Sequence, residues 1–86
     1  MEIKIKLHSL GDYLRLSMIQ AAVTQKELCS ELDIKQPTLS RWLLEDNAIP
    51  NGLNFVLLAD FFADKLDKNL EDVLLDMALL TLGRQS

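Results

Sequence analysis

The side chains that catalyse reactions or bind metals are scarce in this chain of 86 residues. It contains one cysteine, Cys29, and one histidine, His8. A structural zinc site takes four ligands of these types, so the sequence predicts no metal site. It also shows no histidine–nucleophile motif and no glycine-rich phosphate loop. We therefore expect a protein that is not an enzyme and that carries no cofactor.

Polar and cationic side chains are instead concentrated in one stretch, LDIKQPTLSRW, at residues 32–42. It places amide, hydroxyl and guanidinium groups next to the only tryptophan of the chain. Apolar residues at helical spacing flank these groups, which indicates that a helix holds them on one side. What they contact therefore depends on the elements that position this helix.

Length and composition predict a single compact domain, residues 1–86. The apolar fraction of 49% is enough for a hydrophobic core. The sequence shows no signal peptide and no apolar run of about 18 residues, and one cysteine suits a reducing compartment, so we expect a cytoplasmic protein. The net charge of −4 comes from residues 43–86, whereas residues 1–42 have a small excess of bases. This balance argues against indiscriminate binding to nucleic acids.

Capping residues and apolar periodicity predict five helices. Ser9 is placed to cap a helix over about 10–22, and Thr24 with Glu27 forms the capping-box pattern before a helix over about 25–32. Three further helices are predicted: from Gln36 as N-cap and Pro37 as first residue to Leu43, over about 53–65, and from an Asn69 cap to residue 82.

Residues 1–8 contain the only strand-like alternation, IKIKL at residues 3–7, with apolar and basic side chains on opposite faces. A lone strand does not persist in water, so this segment pairs with another chain, packs on the helices or stays an extended arm. Pairing with a symmetry mate in a dimer is favoured over an arm that binds DNA through Lys4 and Lys6.

The last helix, residues 69–82, carries more apolar residues than one buried face needs. Its first face consists of Leu70, Val73, Leu74 and Met77. Its second face consists of Leu75, Ala78, Leu79 and Leu82. An apolar face of this size is not normally left in water. We therefore predict that the second face forms a homodimer interface through Leu75, Leu79 and Leu82.

Two short helices joined by a turn of about three residues, at residues 24–43, form a helix-turn-helix. Small or apolar residues stand where two such helices cross: Leu28, Cys29, Ile34, Leu39 and Trp42. With these residues, the stretch 10–74 resembles the phage-repressor/Cro-type (XRE-like) helix-turn-helix family. The resemblance implies an all-α, five-helix lambda-repressor-like domain. It also implies a homodimeric transcriptional repressor of a bacterium or phage, whose recognition helix enters the major groove of double-stranded DNA.

The resemblance also implies which residues contact DNA. Gln25 would bind a phosphate at the start of the first helix of the motif, and Gln36 would read an adenine edge. Arg41 faces outward, where it either pairs with a guanine or forms an i,i+4 ion pair with Glu45. The full expected DNA-binding set is Gln25, Lys26, Lys35, Gln36, Pro37, Thr38, Ser40 and Arg41.

The chain departs from the family pattern at three places. Asp33 replaces the usual glycine of the turn, Cys29 replaces alanine, and an acidic stretch follows the recognition helix from residue 43 to 46. Carboxylates weaken the expectation of phosphate contacts there, because phosphates are bound by lysine and arginine. A second interpretation is therefore a protein-interaction module on the same scaffold, such as an antitoxin or an antirepressor.

Overall fold

The computed structural model describes residues 9–45 and 48–83, and within those ranges every regular element is an α-helix. The five helices are α1 (Leu10–Ala21), α2 (Gln25–Leu32), α3 (Gln36–Leu44), α4 (Gly52–Lys65) and α5 (Leu70–Gly83). The predicted all-α class is confirmed, and the predicted strand or arm at residues 1–8 lies outside the described residues. Within the described ranges, no helix combines the length and apolarity needed to cross a membrane.

Side-chain caps start the helices where the sequence predicts them. The Ser9 hydroxyl accepts a hydrogen bond from a backbone N–H in the first turn of α1, at 3.2 Å. Thr24 and Glu27 form the reciprocal capping box of α2, with hydrogen bonds of 3.1 and 3.0 Å. The Asn69 side chain accepts from a first-turn N–H of α5 at 2.9 Å. Each cap satisfies a donor that has no partner inside its helix.

The start of α3 corrects one sequence-based assignment. The N-cap is Lys35, which has an extended backbone, and Gln36 is already the first helical residue. The Lys35 carbonyl accepts hydrogen bonds from the N–H groups of Thr38 and Leu39, at 3.0 and 3.1 Å. Pro37 is tolerated at the second position because the first N–H groups of a helix lack intrahelical acceptors. The Gln36 side chain is consequently not the cap of this helix.

The connectors bend at residues with left-handed backbone. Asp33, between α2 and α3, has φ 54° and ψ 49°. The next N–H, that of Ile34, then bonds to the carbonyl of Cys29 at 2.9 Å. Ala22 and Asp67 adopt the same conformation after α1 and α4, with φ of 57° and 52°. Aspartate reaches this region more readily than most residues because its short polar side chain can bond locally.

The core lies between the inward faces of all five helices. Its completely or almost completely buried side chains are Leu10, Leu14, Leu28, Leu39, Leu58, Phe62, Val73 and Met77. The residues predicted to line the α2–α3 crossing are also buried, namely Leu28, Cys29, Ile34, Leu39 and Trp42. α1 packs against α3, α4 and α5, and α5 packs mainly against α4. Core contacts with α1 and α2 therefore fix the position of α3.

A close backbone contact joins α1 to α3 at Gly11. A Cβ atom at this position would lie 2.7 Å from the carbonyl oxygen of Leu43 and 2.9 Å from that of Trp42. Both neighbours are backbone atoms, which cannot move aside as a flexible side chain can. Only glycine allows the two helices to approach this closely.

Candidate nucleic-acid interface

The predicted site is built on α2 and α3, two short helices of 8 and 9 residues joined by residues 33–35. The helices pack against each other through buried side chains that include Leu28 and Cys29 on α2 and Leu39 on α3. Burial raises the pKa of the Cys29 thiol, which keeps it protonated at neutral pH and favours a packing role. The remaining side of α3 is available to solvent.

The outward side of α3 carries the predicted base-contacting residues. Gln36, Pro37 and Arg41 are exposed, and Thr38 and Ser40 are half-buried. Their amide, hydroxyl and guanidinium groups can donate and accept hydrogen bonds without unfolding any part of the core. This side of the helix is therefore chemically suited to a polar partner.

Thr38 and Arg41 lie toward the segment that follows α3. They line a shallow cavity of about 290 Å³ together with Trp42, Ala48 and Ile49. Ile49 is 42% exposed at the rim of this cavity. The two polar residues are thus separated from the α1 side of the motif and share their surface with the connector to α4.

Arg41 forms an ion pair with Glu45, one of the two arrangements that the sequence left open. The Nε atom lies 3.5 Å from the Glu45 carboxylate, and the side chains are 67% and 58% exposed. Such exposed pairs contribute about 0–1 kcal/mol, and arginine preceding glutamate is the less favourable order at i,i+4. The guanidinium can exchange this partner for another acceptor at little cost.

The two predicted residues of α2 lie on different sides of that helix. Gln25 lines a groove of about 360 Å³ with Ile19 of α1 and Leu43 of α3. Lys26 lines a separate cavity with Phe61 and other residues on the α4 side. The structure therefore joins Gln25, but not Lys26, to a surface that α3 shares. Lys35 is exposed in the turn before α3.

Leu44 is a surface residue of α3 that the sequence analysis did not single out. It is 71% exposed at the last helical position. It follows Pro37, Ser40 and Arg41 at intervals of seven, four and three residues, which places it on the same outward side. That spacing is already present in the sequence.

The predicted second face of α5 is exposed where the structure describes it. Leu75 and Leu79 are 56% and 57% exposed, and the side chain of Leu82 lies outside the described part. Leu79 also borders a cavity of about 340 Å³ with Tyr13 of α1 and with Asp76 and Leu80 of α5. Burial and the Asp76 carboxylate raise the pKa of Tyr13. The phenol therefore stays neutral over the physiological range.

No protein-family model matches this chain, and neither a curated protein nor a solved structure matches it significantly. Among the residues that the structure describes, no three histidine, cysteine or acidic side chains are grouped so that they could hold a metal ion. The interpretation of the site therefore depends on the geometry and chemistry of α2, α3 and α5.

Proposed function

We propose that this protein is a sequence-specific double-stranded DNA-binding regulator of the phage-repressor/Cro type. The observation that carries the proposal is the arrangement of α2 and α3. Three residues join α2, which has a capping box, to α3, and α3 presents Gln36, Ser40 and Arg41 on the side away from the core. Helix-turn-helix proteins read base edges with a polar, rigidly supported helix surface of this kind.

The dimensions of α3 suit a major groove. An α-helix with its side chains is about 10–12 Å across, and the major groove of B-DNA is about 12 Å wide. Gln36 near the first turn is suited to an adenine edge and Arg41 to a guanine edge. Leu44, at the end of the same side, adds an apolar group that suits a thymine methyl.

The charge of the motif predicts weak binding to unrelated DNA. Residues 24–45 contain three bases, Lys26, Lys35 and Arg41, against four acids, Glu27, Glu31, Asp33 and Glu45. Affinity for DNA falls with salt by a logarithmic slope of about 0.9 per phosphate contact. We expect a small but non-zero slope, so base contacts supply a large share of the binding energy.

A homodimer completes the proposal. The exposed Leu75 and Leu79 of α5 form the surface proposed to pair two copies, together with Leu82. The two copies of α3 would then read half-sites about 34 Å apart, one turn of DNA. A dimer also doubles the number of phosphate contacts that a weakly charged domain can make.

Selection from a pool of random duplexes, followed by fluorescence anisotropy at several salt concentrations, tests DNA binding. Gln36→Ala and Arg41→Ala should each cost about 1–3 kcal/mol on the selected duplex and relax the preference at one base pair. The controls are Gln20→Ala, which removes an exposed amide from α1, and Lys68→Ala, which removes an exposed positive charge from the α4–α5 connector. Failure to enrich any sequence would refute the proposal.

The Arg41–Glu45 pair provides a second test with the opposite sign. Glu45→Gln removes the competing carboxylate and one negative charge from the proposed interface, so DNA affinity should rise. Glu31→Gln on α2 is the charge-matched control, because it lies on the side of α2 that faces a cavity shared with α4. Equal gains from both variants would show that only net charge matters.

A protein-interaction module is the second candidate, and the exposed Leu44 favours it. An apolar side chain that is 71% exposed among polar neighbours also suits a protein partner. In that case Leu44→Ser would abolish binding to a protein partner, whereas Gln36→Ala with Arg41→Ala would leave it intact. The reverse result, with DNA as the ligand, favours the regulator.

A further inference from the structure

The groove between α1 and the helix-turn-helix contains an arginine that the expected DNA-binding set lacks. Arg15 lines this groove of about 360 Å³ together with Gln25 of α2 and Leu43 of α3. The α1 residues that line it stand at i, i+3, i+4 and i+7, on one side of the helix: Arg15, Met18, Ile19 and Ala22. This side of α1 is thus continuous with the start of α2 and the end of α3.

The groove carries a positive side chain in a protein whose net charge is −4. Of the described residues that line it, Arg15 is the only charged one. The cavity that Lys26 borders on the α4 side is lined by carboxylates as well as by ammonium groups. Beside Arg15, the Gln25 amide adds further hydrogen-bond donors. The groove therefore suits an anionic partner, and Arg15 brings to the Gln25 side of the motif the positive charge that Lys26 does not.

The ion pair that Arg15 forms within α1 can be exchanged. Its partner is Asp12, three residues earlier, and the two side chains are 49% and 27% exposed. Exposed ion pairs are weak, because water and salt screen the two charges. A guanidinium presents five N–H donors and can bond two oxygens of one phosphate at once. Arg15 can therefore turn from Asp12 to a phosphate without disturbing the core.

We propose that Arg15 binds a phosphate of the DNA backbone and extends the proposed interface from α2 onto α1. Arg15 stands about 10 Å along the axis of α1 from Ala22, which precedes α2 by three residues. Phosphates of one strand follow one another about every 3.4 Å along the duplex, so this phosphate is a different one from that expected at Gln25. The inference rests on the proposed function, because it requires that α2 and α3 dock on a duplex.

The salt dependence of binding to the selected duplex counts the phosphate contacts of the full chain. Arg15→Gln removes two of them from a dimer on a full site, so the logarithmic slope should fall by about 1.8. Arg15→Lys keeps the charge and should keep most of the slope. Lys65→Gln is the charge-matched control, because Lys65 borders the cavity on the α4 side. Unchanged thermal unfolding shows that each variant is folded.

Ethylation of single phosphates locates the contact. Duplexes ethylated at random are mixed with the protein, and positions that are depleted from the bound fraction mark the contacted phosphates. One such position in each half-site should disappear with Arg15→Gln and should remain with Lys65→Gln. The base sequence that Arg15→Gln selects should equal that of the unaltered chain, because phosphate contacts carry no direct sequence information.

The outcomes separate this inference from the proposed function. A slope that Arg15→Gln lowers no more than Lys65→Gln does, or an unchanged ethylation pattern, would overturn the phosphate contact while DNA binding stands. The groove, where Ile19 is 75% exposed, would then suit a protein partner instead. A relaxed base preference in Arg15→Gln would overturn the inference by placing the arginine against a base. If no duplex is enriched, the proposed function fails and this inference fails with it.

Discussion

Helices α3 and α5 bury their inward sides in the same way and differ in what they present outward. Leu39 on α3 and Met77 on α5 are both completely buried. Outward, α3 carries amide, hydroxyl and guanidinium groups, whereas α5 exposes leucines such as Leu75 and Leu79. The core therefore explains why both helices form, and only the outward sides distinguish the partners that they suit.

The two helices also depend on different supports. α3 has 9 residues and no side-chain cap, and it is held by backbone contact with α1 at Gly11. α5 has 14 residues, an Asn69 cap and packing along α4. Short helices are marginal in water without tertiary contacts. The conformation of α3 is consequently more sensitive to single changes in its neighbours.

Truncation of inward and outward residues on both helices should give the largest difference. Leu39→Ala and Met77→Ala each remove a completely buried side chain and should lower the free energy of unfolding by about 2–5 kcal/mol. Leu44→Ala and Leu79→Ala, on the outward sides, should change it by no more than about 0.5 kcal/mol in dilute protein. Urea unfolding followed by circular dichroism measures all four variants. A large loss from Leu44→Ala would contradict the assignment of that side as outward.

Gly11→Ala should have the next largest effect and should act on α3 alone. The new Cβ would meet backbone oxygens of Trp42 and Leu43 at 2.9 and 2.7 Å, so the helices must separate. We expect a loss of about 1–3 kcal/mol in the free energy of unfolding, as for other overpacked sites. Gly52→Ala is the matched control, because nothing lies within 4 Å of a Cβ at that position. Equal losses from both glycines would show that the close contact is unimportant.

The connectors that lead to α3 and α5 should respond alike to glycine. Asp33 and Asp67 have φ of 54° and 52°, a conformation that costs residues with a Cβ some free energy. Asp33→Gly and Asp67→Gly should each stabilise the protein by about 0.5–1 kcal/mol, as measured by thermal unfolding. Asp33→Asn removes the charge and keeps the tolerance for left-handed backbone, so it should change little. A gain from asparagine equal to that from glycine would point to charge as the cause.

The pH dependence of the unfolding free energy above neutral pH should give the smallest effect. It involves one titrating group beside each helix, Tyr13 next to α5 and Cys29 next to α3. Burial, followed by the Asp76 carboxylate, raises the pKa of Tyr13 above its ordinary value of 10.0 in the folded state. The folded protein thus favours the neutral phenol, and this contribution is complete below pH 10.0 and is lost as the pH rises further. Burial likewise raises the pKa of Cys29 near α3, above 9.0. Tyr13→Phe should remove part of the decline in unfolding free energy and leave the part that comes from Cys29.

The sequence predicts most of the fold because its local signals agree with one another. Ser9, Thr24 and Asn69 supply caps at the start of apolar periodic stretches, so the helix boundaries follow within one or two residues. The error at Gln36 has a local cause. The rule that the residue before proline avoids helical backbone is a preference, and the helix begins one residue earlier, after Lys35.

The features that the sequence alone does not predict depend on how the helices pack against one another. Lys26 follows Gln25 in the sequence, but Lys26 borders a cavity that includes Phe61 of α4, whereas Gln25 borders a groove with α1 and α3. A single glycine within a helix usually signals only lower helix propensity, so the close contact at Gly11 is not visible before α3 is placed. Spacing allows Arg41 either to face a guanine or to pair with Glu45, and only the structure shows that the ion pair forms.

The glycine contact has a consequence for the accuracy with which α3 is held. The distance between α1 and α3 is set at Gly11 by a contact between backbone atoms. Side chains, which can change rotamer within nanoseconds, do not set it at this point. Fluctuations of the core therefore shift this helix less than they would shift one resting on long side chains. The backbone of α3 at Gln36 and Arg41 consequently follows α1, and the two exposed side chains adjust to a partner by changing rotamer and not by a tilt of the helix.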